Sequence, residues 1–365
     1  MKIRNLIQEL EQWCPPSLQE SYDNCGLMVG DPNQEIKGVL VCLDITEAVL
    51  LEAKAKNCNV IISHHPLIFS GLKSLTGKNL VERCVMQAIK MDIALYAMHT
   101  NLDNVQFGVN VKIAEKLGLK NARILLPKQG LLNKLVVFVP KDHIAAVSDA
   151  VFAAGAGQIG NYDECSFRAE GTGTFKPNDK ANPFAGEIGK REQAEEFKLE
   201  VLVPNHALSS VLSAMKAAHP YEEVAYDVIA LKNKHQDLGA GMIAELEQEE
   251  SEQDFLKRVK ENLSAACIRH TDLLNKKVKK IAFCGGSGSF LLPSAIAAGA
   301  DVFVSADFTY HKFFDADGKI LIADVGHFEI EQFTGEIIAE FVAQKFSTFA
   351  ACLADKQKNP VNYFI

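Results

Sequence analysis

Apolar positions recur at helical spacing at the start of the chain, where Ile3, Leu6, Ile7 and Leu10 share one face and Pro15-Pro16 end the run. From residue 38 the period changes. Residues 38–44 are a short apolar run closing on a carboxylate, and residues 47–56 read as a helix capped by Thr46. A second apolar, β-branched run stops at Ser63-His64-His65-Pro66, where proline bars the strand from continuing. A helix over 80–90 and a strand over 93–98 follow, leading to His99-Thr100-Asn101-Leu102-Asp103. Strands alternating with helices predict a parallel α/β architecture.

Near residues 126–130 the character shifts. A strand over 132–140, a helix over 141–154, a hairpin region over 164–190, a strand over 196–203, a helix over 207–218 and a strand over 225–231 suggest a ferredoxin-like α+β unit. The hairpin region carries a polar loop over 176–183, and His219-Pro220-Tyr221-Glu222-Glu223 reads as a turn into the last strand. The unit is read as an insertion over 128–233, dividing a core of 1–127 and 234–365. The α/β pattern then resumes: a strand or turn-strand over 238–246, a helix over 252–263, and a strand over 278–284 running into Gly285-Gly286-Ser287-Gly288. A helix over 290–298, strands over 302–305 and 320–325, and one long helix over 329–346 complete the chain.

Composition narrows the class. The 365 residues are 48% hydrophobic and 23% charged, ample for a sizeable core. A net charge of −8 argues against a broad basic surface for nucleic acid. Nine scattered cysteines without a C-x-x-C pair read as reduced, buried thiols of a cytoplasmic protein. Met1–Leu10 carries polar residues throughout, so no signal peptide is expected, and no run approaches the roughly 18 apolar residues of a membrane span.

Three predicted strand ends carry ligand-type side chains: His64 and His65; His99 and Asp103; and His327 and Glu331, the last two one helical turn apart. Ligand sites of open α/β sheets lie beyond the carboxyl ends of strands, so one shared site is expected. Adjacent residues of an extended segment point opposite ways, so His64 and His65 suit two ions or two sides of one site. Histidine with carboxylate and no cysteine suits zinc, manganese or iron(II). Five candidate ligands exceed the need of one catalytic ion, and Asp103 is the natural bridge between two ions roughly 3.5–4 Å apart. His99 reads as a packed, hydrogen-bonded histidine, as a ligand or as a proton carrier. His311, in Asp307-Phe308-Thr309-Tyr310-His311, reads as an acid/base group, a phosphate partner or a surface residue. Gly286, Ser287 and Gly288 can cradle an anion or simply form a tight turn. Asp23-Asn24 either shapes its loop or faces the site.

Tyr22-Asp23-Asn24-Cys25-Gly26-Leu27, Ser63-His64-His65-Pro66, His99-Thr100-Asn101-Leu102-Asp103, Cys284-Gly285-Gly286-Ser287-Gly288 and Gly326-His327-Phe328-Glu329-Ile330-Glu331 resemble, in order, the motifs of the NIF-three-like proteins, the GTP cyclohydrolase 1 type 2 family. The segment over 128–233 is similar to the PII/CutA-like domain of the longer bacterial members. The resemblance implies a two-lobed α/β core with a dinuclear metal site between the lobes. Its ligands would be His64, His65, Asp103, His327 and Glu331, holding two divalent ions in each subunit of a toroidal homohexamer. It also implies metal-hydroxide opening of the guanine imidazole ring of GTP with formate release. Two other readings stay open: a dinuclear phosphoesterase, and a non-catalytic metal-binding regulatory or scaffold ring.

Overall fold

The computed structural model describes residues 1–364 and resolves into two compact units, residues 1–126 with 237–364, and residues 127–236. The first unit is built on two sheets. One has five strands in the order Gly26–Val29, Ala94–Ala97, Val60–Ser63, Val39–Cys42 and Ala351–Leu353. Its last four strands run parallel, and Gly26–Val29 is antiparallel to its neighbour. Strands covered on both faces need apolar residues throughout, and Val39–Cys42, Val60–Ser63 and Ala94–Ala97 are buried at every position. Helices Glu47–Ala55 and Leu80–Met91 cover one face through Val49, Leu50, Cys84 and Ala88. Both begin on side-chain caps, Thr46 accepting from the Val49 amide and Asn79 from the Glu82 amide.

The second sheet has six strands in the order Arg269–His270, Leu321–Asp324, Val302–Ala306, Lys277–Ser287, Lys234–Ser251 and Lys120–Gln129. Its three middle members, Lys277–Ser287, Val302–Ala306 and Leu321–Asp324, are parallel. Helix Val109–Leu117 packs against Lys277–Ser287, and helix Thr334–Lys345 returns to Val39–Cys42 of the first sheet. The chain ends of this unit are thereby interleaved.

The second unit has four strands in the order Ser166–Phe175, Glu192–Pro204, Leu132–Pro140 and Tyr226–Ala230, every neighbouring pair antiparallel. Helices Ile144–Ala153 and Leu208–Ala218 cover one face, over a core of Leu135, Val137, Leu199, Val201 and Val211.

Three predicted elements differ. The expected single helix over 329–346 is two, His327–Glu331 and Thr334–Lys345. Between them the Gln332 side-chain amide donates to the carbonyls of Glu329 and Leu263, ending the first helical ladder. The second arm of the hairpin is not within 164–190. It is Glu192–Pro204 itself, which pairs with Ser166–Phe175 across a loop over 176–191. The expected turn at 285–288 is instead the bulged end of strand Lys277–Ser287. Strands Lys120–Gln129 and Ala351–Leu353 carry too short or too polar a pattern to be read from sequence. No helix among the described residues is long and apolar enough to cross a membrane, and every cysteine is free.

The C-terminal edge strand is tied down by one carboxylate. Glu52, 8% exposed, receives the Asp355 and Lys356 amides at 2.8 and 2.9 Å and the Lys56 ammonium at 2.7 Å. Burial pushes its carboxyl up, but Lys56 and the two amides outweigh burial and hold it below the usual 4.5. A carboxylate depressed on folding stabilises fully above the unfolded value and loses that contribution as pH falls through the folded one. Glu52→Ala is therefore expected to cost about 1–3 kcal/mol at pH 7. Thermal melts of wild type and variant should converge as the pH drops below 4.5; a gap that persists undiminished in acid would refute this account.

Candidate metal centre

Parallel strands deliver their carboxyl ends to one edge of each sheet, and the polar residues that follow them meet. His64 and His65 continue strand Val60–Ser63, with their amides bonded to the carbonyls of Cys42 and Leu43. Asp103 ends the single turn Thr100–Asp103 after strand Ala94–Ala97. His327 and Glu331 lie on the one-turn helix His327–Glu331 after strand Leu321–Asp324. Spacing of four puts both on one side of that helix.

The Glu331 carboxylate is the centre, 2% exposed. Its Oε1 lies 3.7 Å from His64 Nε2, which is itself 3.7 Å from Asp103 Oδ1. Its Oε2 lies 3.1 Å from His65 Nε2 and 2.9 Å from His327 Nε2, and those two nitrogens are 3.2 Å apart. Two donor groups result, His64/Asp103/Glu331 and His65/His327/Glu331, each able to hold a metal ion. A third, His64/His65/His99, adjoins them. Donors around an ion with bonds of about 2.0–2.2 Å stand roughly 2.9–3.5 Å apart, close to these spacings.

Each imidazole is anchored through Nδ1. That of His64 donates to the Met98 carbonyl at 2.8 Å, that of His65 to Asp44 at 2.8 Å, that of His327 to Asp307 at 2.7 Å and that of His99 to Asp23 at 2.8 Å. Each Nδ1 keeps its proton, so Nε2 is the nitrogen that faces inward, the arrangement metal-bound histidines require. His64 Nε2 and Asp103 Oδ1 are buried without a hydrogen-bond partner. Such orphaned atoms are costly unless something satisfies them, and a divalent ion satisfies both.

The electrostatics agree. Burial lowers the His64 pKa and keeps that ring neutral. Burial also pulls His65 and His327 down, but Asp44 with Glu331, and Asp307 with Glu331, bring them up to about 9 and about 11. Burial and the neighbouring Glu331 charge raise the Asp103 carboxyl, while burial of Glu331 itself is outweighed by His64, His327 and His65. The carboxylates of Glu331, Asp44 and Asp307 draw positive charge to this spot, so that His65 and His327 hold a second proton at Nε2, which a divalent ion would displace.

Small residues make the room. A Cβ added at Gly286, which sits at φ +60°, would lie 2.5 Å from Glu331 Oε1 and 3.3 Å from the His327 ring. Gly286 thus lets the strand end pass beneath the Glu331 carboxylate. The Ser305 hydroxyl donates to its carbonyl, and the Gly285 amide donates to Asn110. A Cβ at Gly288 would stand 2.5 Å from Ser305 Oγ; Ser287 is exposed.

The five sequence-predicted ligands converge. The carboxylate shared between groups is Glu331 rather than the expected Asp103, because only Glu331 presents one oxygen to each group. His99 adjoins the ligands, and Asp23 faces inward, receiving the Thr100 amide and hydroxyl as well as His99. His311 is exposed in the turn Tyr310–Ala316, with its ring against Tyr310 and Phe314, and belongs to none of the three groups. Asp44 and Asp307, as anchors of His65 and His327, were not legible as such. Their signal was position, a carboxylate closing one buried strand and one just beyond another.

Fold and site define an α/β protein with a histidine–carboxylate centre at the strand ends of its sheets. The chain belongs to the Duf34/NIF3 (NGG1p interacting factor 3) family, which it matches over residues 1–360. The GTP cyclohydrolase 1 type 2 homolog of Halalkalibacterium halodurans is 42% identical over 333 residues, covering 90% of this chain and 89% of that one. The homolog of the same name from Bacillus subtilis is 38% identical over 364 residues, covering 99% and 95%. The crystal structure of a Bacillus cereus protein related to NIF3 is similar with a TM-score of 0.87 at 38% identity, covering 100% of this chain and 99% of that one.

Gly286→Ala should crowd Glu331 and weaken metal binding by about 10–100-fold. Gly118→Ala is the control: it carries a similar φ of +70° with open space around its Cβ, so it should lose stability but keep its metal. Chelator competition on both variants checks this, and equal metal affinity in the two would contradict it.

Proposed function

We propose that this protein is a metal-dependent hydrolase holding two divalent ions between the two sheets of its first unit. His64 and Asp103 would ligate one, His65 and His327 the other, with Glu331 bridging. The observation that carries the reading is the division of the Glu331 oxygens between two donor groups. The donor set suits zinc, iron(II) or manganese. Bound divalent ions supply Lewis acidity and make coordinated water more acidic.

The remaining work falls to the chain. His327, 39% exposed at its side chain, and His65 line the open side of the site, whereas His64 is fully buried. Substrate would therefore approach past His327. His99, held through Nδ1 by Asp23, presents Nε2 toward the ligands and can carry a proton there. Burial pushes the Asp23 carboxyl up, but His99 and Thr100 outweigh it and keep it ionised as the anchor.

The substrate we propose is GTP, the compound in the names of the relatives. A first water would add at C8 of the guanine and the C8–N9 bond would break, opening the imidazole ring to a formamide on N7. A second water would hydrolyse that amide, releasing C8 as formate and leaving the N7 amine. The net charge of −8 does not help a triphosphate bind, so the ions and a local basic group would have to supply positive charge. We further propose that the unit at 127–236 is an inserted ferredoxin-like domain of the PII/CutA kind, supported by its strand–helix–strand, strand–helix–strand connectivity and antiparallel sheet. Assembly into a homohexamer is the matching proposal for quaternary state, which light scattering reads directly.

Elemental analysis of the purified chain should give about two ions per subunit, about one after Asp103→Ala and close to none after Glu331→Ala. Metal-loaded wild type should release formate from GTP, and His64→Ala should lower that rate about a hundredfold or more. Equal trace turnover by the two would end the GTP assignment. Turnover confined to a panel of phosphomonoesters and diesters would replace it with a dinuclear phosphoesterase.

A further inference from the structure

The second unit contains a cavity of about 690 Å³ over the face of its sheet that carries no helix, a volume typical of small-molecule sites. Its floor is hollow by sequence. On strand Ser166–Phe175, Ala169, Gly171 and Gly173 stand opposite Lys198, Glu196 and Ala194, so small residues line one side of the open face. The loop over 176–191 forms the roof, pinned by the Asn182 amide on Glu222 at 2.8 Å and the Gly189 amide on the Pro177 carbonyl at 2.8 Å.

Aromatic rings wall it. Tyr221 sits 5.9 Å from Phe175 and 6.0 Å from Phe184, centroid to centroid, tilted by 58° and 47°. Tyr221 is set by His219, which donates from Nε2 to the Phe138 carbonyl and accepts the Tyr221 amide at Nδ1. With both ring nitrogens committed, His219 is a neutral positioning residue. At the bottom lies Glu196, 7% exposed and hydrogen-bonded by the Tyr221 hydroxyl. A Cβ at Gly173 would fall 2.1 Å from Glu196 Oε2, so the glycine is what admits that carboxylate.

Carboxylates outnumber ammonium groups. Glu170, Glu196, Glu222 and Glu223 line the cavity against Lys176 and Lys198; Glu170 is paired with Lys141 at 3.7 Å and Lys198 with Glu200 at 2.6 Å, which leaves Glu196, Glu222 and Glu223 against Lys176. Aromatic faces and carboxylates both attract cations, and the rings also accept apolar surface. We propose that this hollow is a binding site for a small organic cation with an apolar body, its charged nitrogen directed at Glu196 and enclosed by Tyr221, Phe175 and Phe184. The site is independent of the metal centre and does not rest on the reaction proposed for it.

The test uses the full chain and benzyltrimethylammonium as probe, followed by calorimetry and by saturation transfer from protein to the probe's methyl protons. Binding is expected for this cation, with benzoate inert. Choline is expected to bind more tightly than its uncharged isostere 3,3-dimethylbutanol. Phe184→Leu, which keeps apolar volume but removes the ring, and Glu196→Gln, which removes only charge, should each weaken the cation by about tenfold. Circular dichroism establishes that the variants are folded, and Phe184, 57% exposed, is the substitution least able to disturb the core. No binding of the cation, equal binding of charged and neutral isosteres, or affinity unchanged in both folded variants would each overturn the proposal.

Discussion

Glu331 is a carboxylate placed where water does not reach, and the first unit is arranged to make that tolerable. A buried charge needs both partners and hydrogen bonds. Its partners come from a distant part of the chain: His65 is 266 residues away in sequence and lies beyond the first sheet, whereas Glu331 follows the second. The strand registers bring these segments together. Val60 pairs with Val39 and with Ala94, and Val302 with Leu321, so the carboxyl ends of neighbouring strands finish level. A slip of one residue would turn His64 and His65 to exchanged faces and remove the partners of Glu331. The bulge at Gly286 belongs to the same constraint, since a regular strand with side chains would occupy the space of the carboxylate.

A second ring of groups turns this buried charge into an ordered site. Asp44, Asp307, Asp23 and the Met98 carbonyl each hold one imidazole by Nδ1. They differ in exposure in a way that gives the site a direction. The His64 end is sealed by protein, while the side chains of Asp307 and His327 are 49% and 39% exposed. Asp307 reaches His327 from a left-handed backbone position, φ 58°, a conformation aspartate tolerates better than most residues. A rigid inner end and an open outer end would suit the proposed metal centre, which would keep its ions while admitting substrate.

The sequence made the candidate ligands legible because they sit where hydrophobic runs stop. His64-His65, Asp103 and His327/Glu331 each follow a buried strand, and strand ends are where open sheets concentrate chemistry. Three things were hidden. Which carboxylate is shared depends on approach distances, and a carboxylate on a helical turn looks the same in sequence whether it faces one group or two. Asp44 closes the strand beside His65 only because two parallel strands are neighbours, a pairing that periodicity does not encode. The separation of His327–Glu331 from Thr334–Lys345 rests on the Gln332 amide meeting a carbonyl at Leu263, a contact across 69 residues. The apolar spacing continues through both helices, so a local reading joins them.

The second unit obeys a different constraint. Its two helices cover one face of a four-stranded sheet, and the other face must be shielded by something else. The chain uses a long loop, closed by the Gly189 amide on the Pro177 carbonyl and held by the Asn182 amide on the Glu222 carboxylate. A loop cannot fill a sheet face as a helix does, because it lacks a regular apolar stripe. Gly171 and Gly173 deepen the gap from below, since they contribute no side chains to meet the roof. Had the face been built only for stability, larger apolar residues on that strand would have closed it. Glycine there instead preserves a space whose walls are aromatic and whose base is a carboxylate, and those are the features that select a cation with apolar surface.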